Sequence, residues 1–149
     1  MKKNSLSIFL MSAVLVILSV SYASAQSANE QTANIPFAFN VGDKTFPAGE
    51  YTVRRVNPQS DRTALAIRSA DASASKIVLT TPVQSSKVRE SAKLVFNRYG
   101  DQYYLSQVLS PAENGGLEIP QSRAERRLAK GLGGAKPERQ TVALTAHRR

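Results

Sequence analysis

Residues 34–55 read NIPFAFNVGDKTFPAGEYTVRR, and this stretch has the sharpest strand-and-turn pattern in the chain. Aromatic and β-branched residues alternate with small or polar ones through FAFNV, the period-two pattern of a strand with one buried face. Gly42-Asp43 predicts a two-residue reversal, because glycine adopts positive φ freely and aspartate tolerates it. The reversal places Phe39 opposite Phe46 on one face of a hairpin.

A second turn follows at FPAG, where Pro47 fixes φ for a turn position and Gly49 ends the turn. The strand EYTVRRV comes next, with Tyr51 and Val53 on one face. The two turns account for the glycines, prolines and aspartate of this stretch, and its aromatic rings are expected to pack in a hydrophobic core. We therefore predict no ligand site within it.

A second hairpin is predicted in AKLVFNRYGDQYYLSQVLS, with its turn at Gly100-Asp101. This register pairs Phe96 with Leu105 and Arg98 with Tyr103, where a cross-strand cation–π contact is expected. The opposite face is partly apolar as well; its residues are Val95, Tyr99, Tyr104 and Val108. The hairpin is therefore expected to be covered on both sides. An exposed tyrosine platform for sugars or bases is the alternative, and β-sheet packing is favoured over it.

Further short runs, ALAIR and KIVLT, continue at intervals typical of strands joined by tight turns. The pattern predicts an all-β fold, an antiparallel β-sandwich or small barrel, in one domain over residues 35–149. Ser122-x-x-Glu125 is a capping box and Gly131 is a stop signal, so one short C-terminal helix is expected at 122–130. TVALT predicts a last strand at 140–146, with Val142 and Leu144 inward.

The first twenty-five residues have the pattern of a signal peptide. Lys2 and Lys3 precede the apolar run LSIFLMSAVLVILSV, which is shorter than the roughly 20 residues of a spanning helix. Ala23 and Ala25 form a small-x-small cleavage site, so we expect cleavage after Ala25 and a flexible lead-in at 26–34. The chain is thus expected to be exported to the periplasm or the exterior, with no transmembrane span after cleavage. An uncleaved membrane anchor is the alternative.

Residue counts limit the possible chemistry. The chain has no cysteine and one histidine, His147. Disulfides, thiolate metal sites and cysteine nucleophiles are thereby excluded, and a Ser-His-Asp triad or a histidine zinc site is disfavoured. We predict no catalytic residue, no metal and no cofactor. A hydrolase built on carboxylates is the remaining enzymatic alternative; its candidate residues are Asp43, Glu50, Asp101 and Glu118.

Positive charge is concentrated at the C-terminal end. The formal net charge is +9, and without Lys2 and Lys3 it is +7, of which residues 123–149 carry +6. The candidate polyanion contacts lie in the predicted helix; they are Arg123, Arg126, Arg127 and Lys130. Expected partners are lipopolysaccharide, acidic glycans or phospholipid headgroups, with nucleic acid less favoured. The alternative is a solvated basic face on a helix that packs through Ala124, Leu128 and Leu132.

Three motifs occur in order: IPFAFNVGDKTFPAGEYTVRR, KLVFNRYGDQYYLSQV and IPQSRAERRLAK. Together they resemble a family of small exported β-rich proteins from soil bacteria, and the resemblance covers most of the chain after residue 25. It implies no activity, ligand or catalytic residue. Residues Phe46–Val53 also resemble the F/L-P-A-G-x-Y-x-V signature of bacterial prealbumin-like and immunoglobulin-like sandwich modules, which implies a sandwich.

These observations favour a non-catalytic exported protein that associates with the cell envelope or with extracellular anionic polymers. The alternative is a carrier of a small apolar ligand, held in a cavity of the β-domain. The sequence leaves open the ligand, the oligomeric state and the choice between sandwich and barrel.

Overall fold

The structure is a computed structural model that describes residues 30–56, 63–84, 91–110 and 115–146. It contains short strands and one helix in these segments. In chain order the elements are β1 Glu30–Ile35, β2 Phe39–Val41, β3 Lys44–Phe46, β4 Gly49–Arg55, β5 Thr63–Ser69, β6 Ser75–Gln84, β7 Lys93–Tyr99, β8 Gln102–Leu109, β9 Gly115–Glu118, α1 Arg123–Gly131, β10 Glu138–Ala143 and β11 Thr145–Ala146. The predicted all-β fold with one short C-terminal helix is confirmed.

The strands form a mixed sheet with the order β10-β7-β8-β9-β6-β5-β4-β1-β11. The long strand β6 joins the two halves, because it pairs with β5 through its first residues and with β9 through its last. The β2–β3 hairpin attaches to β8 through one parallel bridge, between Asn40 and Tyr104. One core cluster contains residues from both halves, so the halves pack as a sandwich.

The first predicted hairpin is present in the predicted register. Gly42 has φ 64°, and Phe39 lies directly opposite Phe46 with ring centroids 5.4 Å apart. Phe39 also contacts Tyr51 at 5.0 Å and Phe96 at 5.5 Å, both edge to face. These four rings are buried, and they join the two halves of the sheet through direct aromatic contacts.

The second hairpin also has the predicted register, with Phe96 opposite Leu105 and Arg98 opposite Tyr103. The register of this hairpin shifts at a bulge between Val95, which lies opposite Gln107, and Phe96. Both faces of the hairpin are covered, as predicted. The inner face belongs to the main core, whereas Val95, Tyr99 and Tyr104 are buried on the outer face. We expected Val108 on the outer face, but it belongs to the main core.

The expectation of a flexible lead-in at 26–34 is wrong for the residues that the structure describes. Glu30–Ile35 form β1, which pairs with β4 and β11. Ala33 and Ile35 are buried in the core, and this burial fixes the strand. Residues 1–29, with the predicted cleavage site at Ala23 and Ala25, lie outside the described residues.

The predicted last strand at 140–146 begins earlier and is interrupted. β10 pairs with β7 and β11 pairs with β1, and Leu144 lies between them. Leu144 is buried and Val142 packs against the core, as predicted. The Leu144 N–H donates to Ala92 O at 2.9 Å. The chain therefore passes from one half of the sheet to the other at this residue.

Candidate binding face on helix α1

The helix has the predicted N-cap. Ser122 is in extended conformation, and its Oγ accepts a hydrogen bond from the Glu125 N–H at 3.1 Å. This bond satisfies one of the free amides at the helix start. At the other end, the Leu132 N–H donates to Leu128 O at 3.0 Å. The helix spans Arg123–Gly131, within one residue of the prediction at each end.

Glu125 anchors α1 to the outer face of the β7–β8 hairpin. Its side chain is 4% exposed, and its Oε1 accepts from Asn97 Nδ2 at 2.8 Å and from Tyr99 Oη at 3.3 Å. Gln121 Nε2 lies 3.4 Å from the same oxygen. A buried carboxylate needs such donors, because burial removes its water ligands. These contacts fix both the position and the rotation of the helix.

The expectation that the helix packs through Ala124, Leu128 and Leu132 is wrong. Ala124 is exposed, Leu128 is half-buried and Leu132 is 50% exposed. Glu125 is the buried residue of the helix. In the sequence, this glutamate has one recognisable role, as part of the capping box; its contact with Asn97 on a distant strand has no local sequence signal.

The polar cluster around Glu125 is electrostatically coupled to two tyrosines. Burial raises the pKa of Tyr99, and the nearby Glu125 carboxylate raises it further. The pKa of Tyr104 is raised by the same two causes in the same order. Because their pKa values are raised, both phenols remain neutral donors at physiological pH. In the same cluster, Asn97 Oδ1 is buried and has no hydrogen-bond partner among the described residues.

The predicted polyanion contacts share one exposed face of α1. Arg123, Arg126, Arg127 and Lys130 are all exposed. Successive helical residues are about 100° apart, so each of the four lies roughly 100° or more around the helix from Glu125. The helix therefore presents its four cations to solvent while its carboxylate points inward.

Few contacts hold these cations. Arg126 donates from Nη1 to the Gln121 carbonyl at 3.0 Å. In the part of the chain that the structure describes, no hydrogen bond or ion pair engages the side chains of Arg123, Arg127 and Lys130. The two described salt bridges lie elsewhere, at Lys76–Asp43 and Arg98–Glu138. The charge of this face is thus available to an external anion.

The four carboxylates of the hydrolase alternative are dispersed. Asp43 is ion-paired with Lys76, and Asp101 is in the exposed turn between β7 and β8. Glu50 lies opposite Asn34 on β1, whereas Glu118 lies opposite Thr81 on β6, in the other half of the sheet. Within the described segments, no group of three or more His, Cys, Asp or Glu residues is placed to hold a metal ion.

The tyrosines of the second hairpin are packing residues. Tyr99 and Tyr104 are buried, and Tyr103 stacks on Phe37 with centroids 4.0 Å apart. The Arg98 guanidinium lies 5.6 Å from the Tyr103 ring, so the predicted cation–π contact is confirmed.

A shallow depression of about 240 Å³ lies at one end of the sandwich, between the β3–β4 turn and the β5–β6 turn. Its lining includes Pro47, Tyr51, Ser69 and Asp71. The Tyr51 hydroxyl donates to the Pro47 carbonyl at 2.6 Å, and Asp71 accepts from Ser73. The Tyr51 hydroxyl and the Asp71 carboxylate are therefore engaged within the protein.

No helix within the described residues is long and apolar enough to cross a membrane. His147 lies outside the described residues. Comparison with protein-family models, with curated proteins and with solved structures finds no match. The resemblance to small exported proteins of soil bacteria therefore stays a prediction.

Proposed function

We propose that this chain is a non-catalytic exported protein that associates, through the basic face of α1, with anionic polymers of the cell envelope or the extracellular material. The basic face consists of Arg123, Arg126, Arg127 and Lys130. The observation that carries the proposal is the orientation of α1: Glu125 is buried against β7, and the four cations are exposed on the opposite side. Export is supported by the signal-peptide pattern of residues 1–25.

The fixed position of the helix supports a binding role. A mobile basic segment would lose conformational entropy when it bound a polymer. Glu125 and Ser122 already order the α1 backbone, so the positions along the helix from which its cations extend are set before contact. Arg123 and Lys130 are seven residues apart, which corresponds to about 10 Å along the helix axis. A linear polymer with closely spaced anionic groups fits such a stripe.

The charge pattern of the helix also supports this role. Arg123 and Arg127 are four residues apart, and Arg127 and Lys130 are three apart. Like charges at these spacings destabilise a helix by about 0.2–0.5 kcal/mol per pair. The pattern is thus unfavourable for the isolated fold and favourable for an anionic partner. The alternative of an apolar-ligand carrier has less support, because the core rings contact one another directly.

The test is co-sedimentation with purified cell envelopes. Wild-type protein, residues 26–149, and a variant with Arg123→Glu, Arg126→Glu and Arg127→Glu are mixed with envelopes at low salt and at about 0.15 M salt, where the screening length is about 8 Å. We expect wild type to co-sediment at both salt concentrations and the variant to remain in the supernatant. Loss of wild-type binding at the higher salt, or equal binding by the variant, would contradict the proposal.

A further inference from the structure

A row of side chains crosses the outer face of the sheet beside α1. Thr141 on β10 and Gln107 on β8 both lie opposite Val95 on β7, and Glu118 on β9 lies opposite Gln107. Thr141 and Glu118 are exposed and Gln107 is half-buried, whereas Val95 is buried. Neighbouring strands are about 4.8 Å apart, so the row spans about 14 Å from β10 to β9.

Arg139 on β10 adds a positive charge to this row. It lies opposite Asn97 on β7, and its Nη1 donates to Gln107 Oε1 at 3.2 Å. Because Gln107 is on β8, this bond crosses over β7 and restrains the guanidinium on the outer face. Within the described segments, no carboxylate pairs with Arg139. The N–H groups that Gln107 does not use can therefore donate to two oxygens of one external anion.

Gln107 and Glu118 add a donor and an acceptor. Arg139 occupies Gln107 Oε1, so the amide nitrogen of Gln107 remains as a donor. The Glu118 side chain has no hydrogen bond or ion pair in the part of the chain that the structure describes, although Arg139 lies on the same face. From β10 to β9, the row thus presents a cation, an amide donor and a carboxylate acceptor.

We propose that Arg139, Gln107 and Glu118 bind an acidic sugar of a carboxylate-bearing glycan. The Arg139 guanidinium donates two hydrogen bonds to the sugar carboxylate, Gln107 Nε2 donates to one hydroxyl oxygen, and another hydroxyl donates to the Glu118 carboxylate. This proposal rests on the proposed function, because it names the class of anionic polymer. Asn97 lies opposite Arg139 and is bonded to Glu125, so the row adjoins α1.

The carboxylate of Glu118 favours a glycan over a phosphate polymer. A nucleic acid carries a negative charge at each phosphate, which Glu118 repels, whereas a glycan also carries neutral hydroxyls that donate to a carboxylate. Base stacking would need exposed rings, and Tyr99 and Tyr104 on this face are buried. Insertion into a membrane surface would need exposed apolar side chains, and Val95, the apolar residue of the row, is buried.

Calorimetric titration with a short oligogalacturonate, a linear chain of uronate sugars, tests the role of Arg139. Purified protein, residues 26–149, is used at about 0.15 M salt. Arg139→Gln should weaken binding about tenfold or more, because it removes a charge-assisted bidentate contact. Lys136→Gln removes the same charge at an exposed position of the α1–β10 connection and should bind nearly as wild type does. Equal affinity of Arg139→Gln and wild type, or no wild-type binding at about 1 mM oligomer, would overturn the proposal.

Glu118→Ala separates hydroxyl recognition from simple charge attraction. If Glu118 accepts a sugar hydroxyl, its replacement should weaken binding of the oligogalacturonate. If charge alone attracted the oligomer, removal of a negative charge would strengthen binding instead. Glu118 is exposed, so the circular dichroism spectrum of this variant should match that of wild type. Unchanged or stronger binding by Glu118→Ala would refute the proposed contact.

The two proposals for this protein can fail separately. If Arg139→Gln loses the oligogalacturonate while the triple α1 variant still co-sediments with envelopes, the row is a glycan site and the proposed role of α1 is wrong. If Arg139→Gln binds the oligogalacturonate as wild type does while the α1 variant loses envelopes, the role of α1 stands and the glycan site is wrong.

Discussion

Glu125 on α1 accepts a hydrogen bond from Asn97 on β7 at 2.8 Å, across 28 positions of sequence, and both side chains are buried. This contact joins the helix to the sheet. It determines which face of the helix packs inward and, as a consequence, that the four basic side chains point outward.

Replacement of Glu125 should destabilise the fold. Glu125→Ala leaves the Asn97 amide and the Tyr99 hydroxyl without their acceptor, and an unsatisfied buried polar group costs about 1–3 kcal/mol. Urea unfolding monitored by circular dichroism measures this loss. Glu125→Gln, which retains an acceptor oxygen, should lose less. Equal stability of Glu125→Ala and wild type would show that the contact does not hold the helix.

Two glycine replacements should have opposite effects. A Cβ at Gly115 would lie 2.4 Å from the Val83 carbonyl oxygen, so Gly115→Ala must displace backbone in β6 or β9 and should destabilise by more than 1 kcal/mol. A Cβ at Gly131 meets no atom within 4 Å, and alanine is favoured over glycine in a helix by about 1 kcal/mol. Gly131→Ala should therefore stabilise. Thermal denaturation of the two variants beside wild type is the check, and a stable Gly115→Ala protein would disprove the close approach.

Arg127→Ala should raise stability while it weakens polyanion binding. The replacement removes repulsion with Arg123 and Lys130, which is about 0.2–0.5 kcal/mol per pair, and introduces the best helix former. Urea unfolding and envelope co-sedimentation on the same preparation measure the two effects. If stability rises and binding does not change, Arg127 belongs to a solvated face without a partner.

Acid should weaken the fold in part through Asp71. Hydrogen bonds from Ser69 and Ser73 lower the pKa of Asp71 from 3.8 to about 2. A folded pKa below the unfolded value gives stability that is present above about pH 4 and is lost as the pH falls toward 2. Asp71→Asn should therefore be less stable than wild type at pH 6, and the difference should shrink as the pH falls to 2. A difference that stays constant over this range would contradict the assignment.

The parts of the fold that the sequence predicts best are those with local causes. The Gly42-Asp43 turn determines the pairing of Phe39 with Phe46, and the Gly100-Asp101 turn determines that of the second hairpin. Ser122 likewise marks the helix start within one residue. In each case the residues that specify the turn or the helix start lie within a few sequence positions of that turn or helix start.

The elements that the sequence did not predict depend on distant contacts. β1 is mostly polar, and its order comes from Ala33 and Ile35 in a core built by other strands. β9 begins with Gly115 and Gly116, which disfavour a strand locally, and they are required because the backbones of β6 and β8 approach closely. The burial of Glu125 has the same origin, since its partners Asn97 and Tyr99 are on another element.

The candidate binding residues could be identified from the sequence, because the four cations occur within eight positions of a helix with clear end signals. The sequence alone did not show that all four cations are exposed on one face of the helix. The apolar residues of the helix suggested packing through Ala124, Leu128 and Leu132, and Glu125 replaced them as the anchor.

A comparison of two charge reversals of equal size in the envelope co-sedimentation assay tests whether the basic face of α1 is the attachment surface. One variant carries Arg123→Glu, Arg126→Glu and Arg127→Glu on α1. The other carries Lys44→Glu, Arg54→Glu and Arg68→Glu, at exposed positions away from α1. Both have the same net charge, so a nonspecific effect of charge would weaken their binding equally. We predict that only the α1 variant loses binding at about 0.15 M salt. Equal loss in both variants, or loss in neither, would contradict the assignment of the basic face of α1 as the attachment surface.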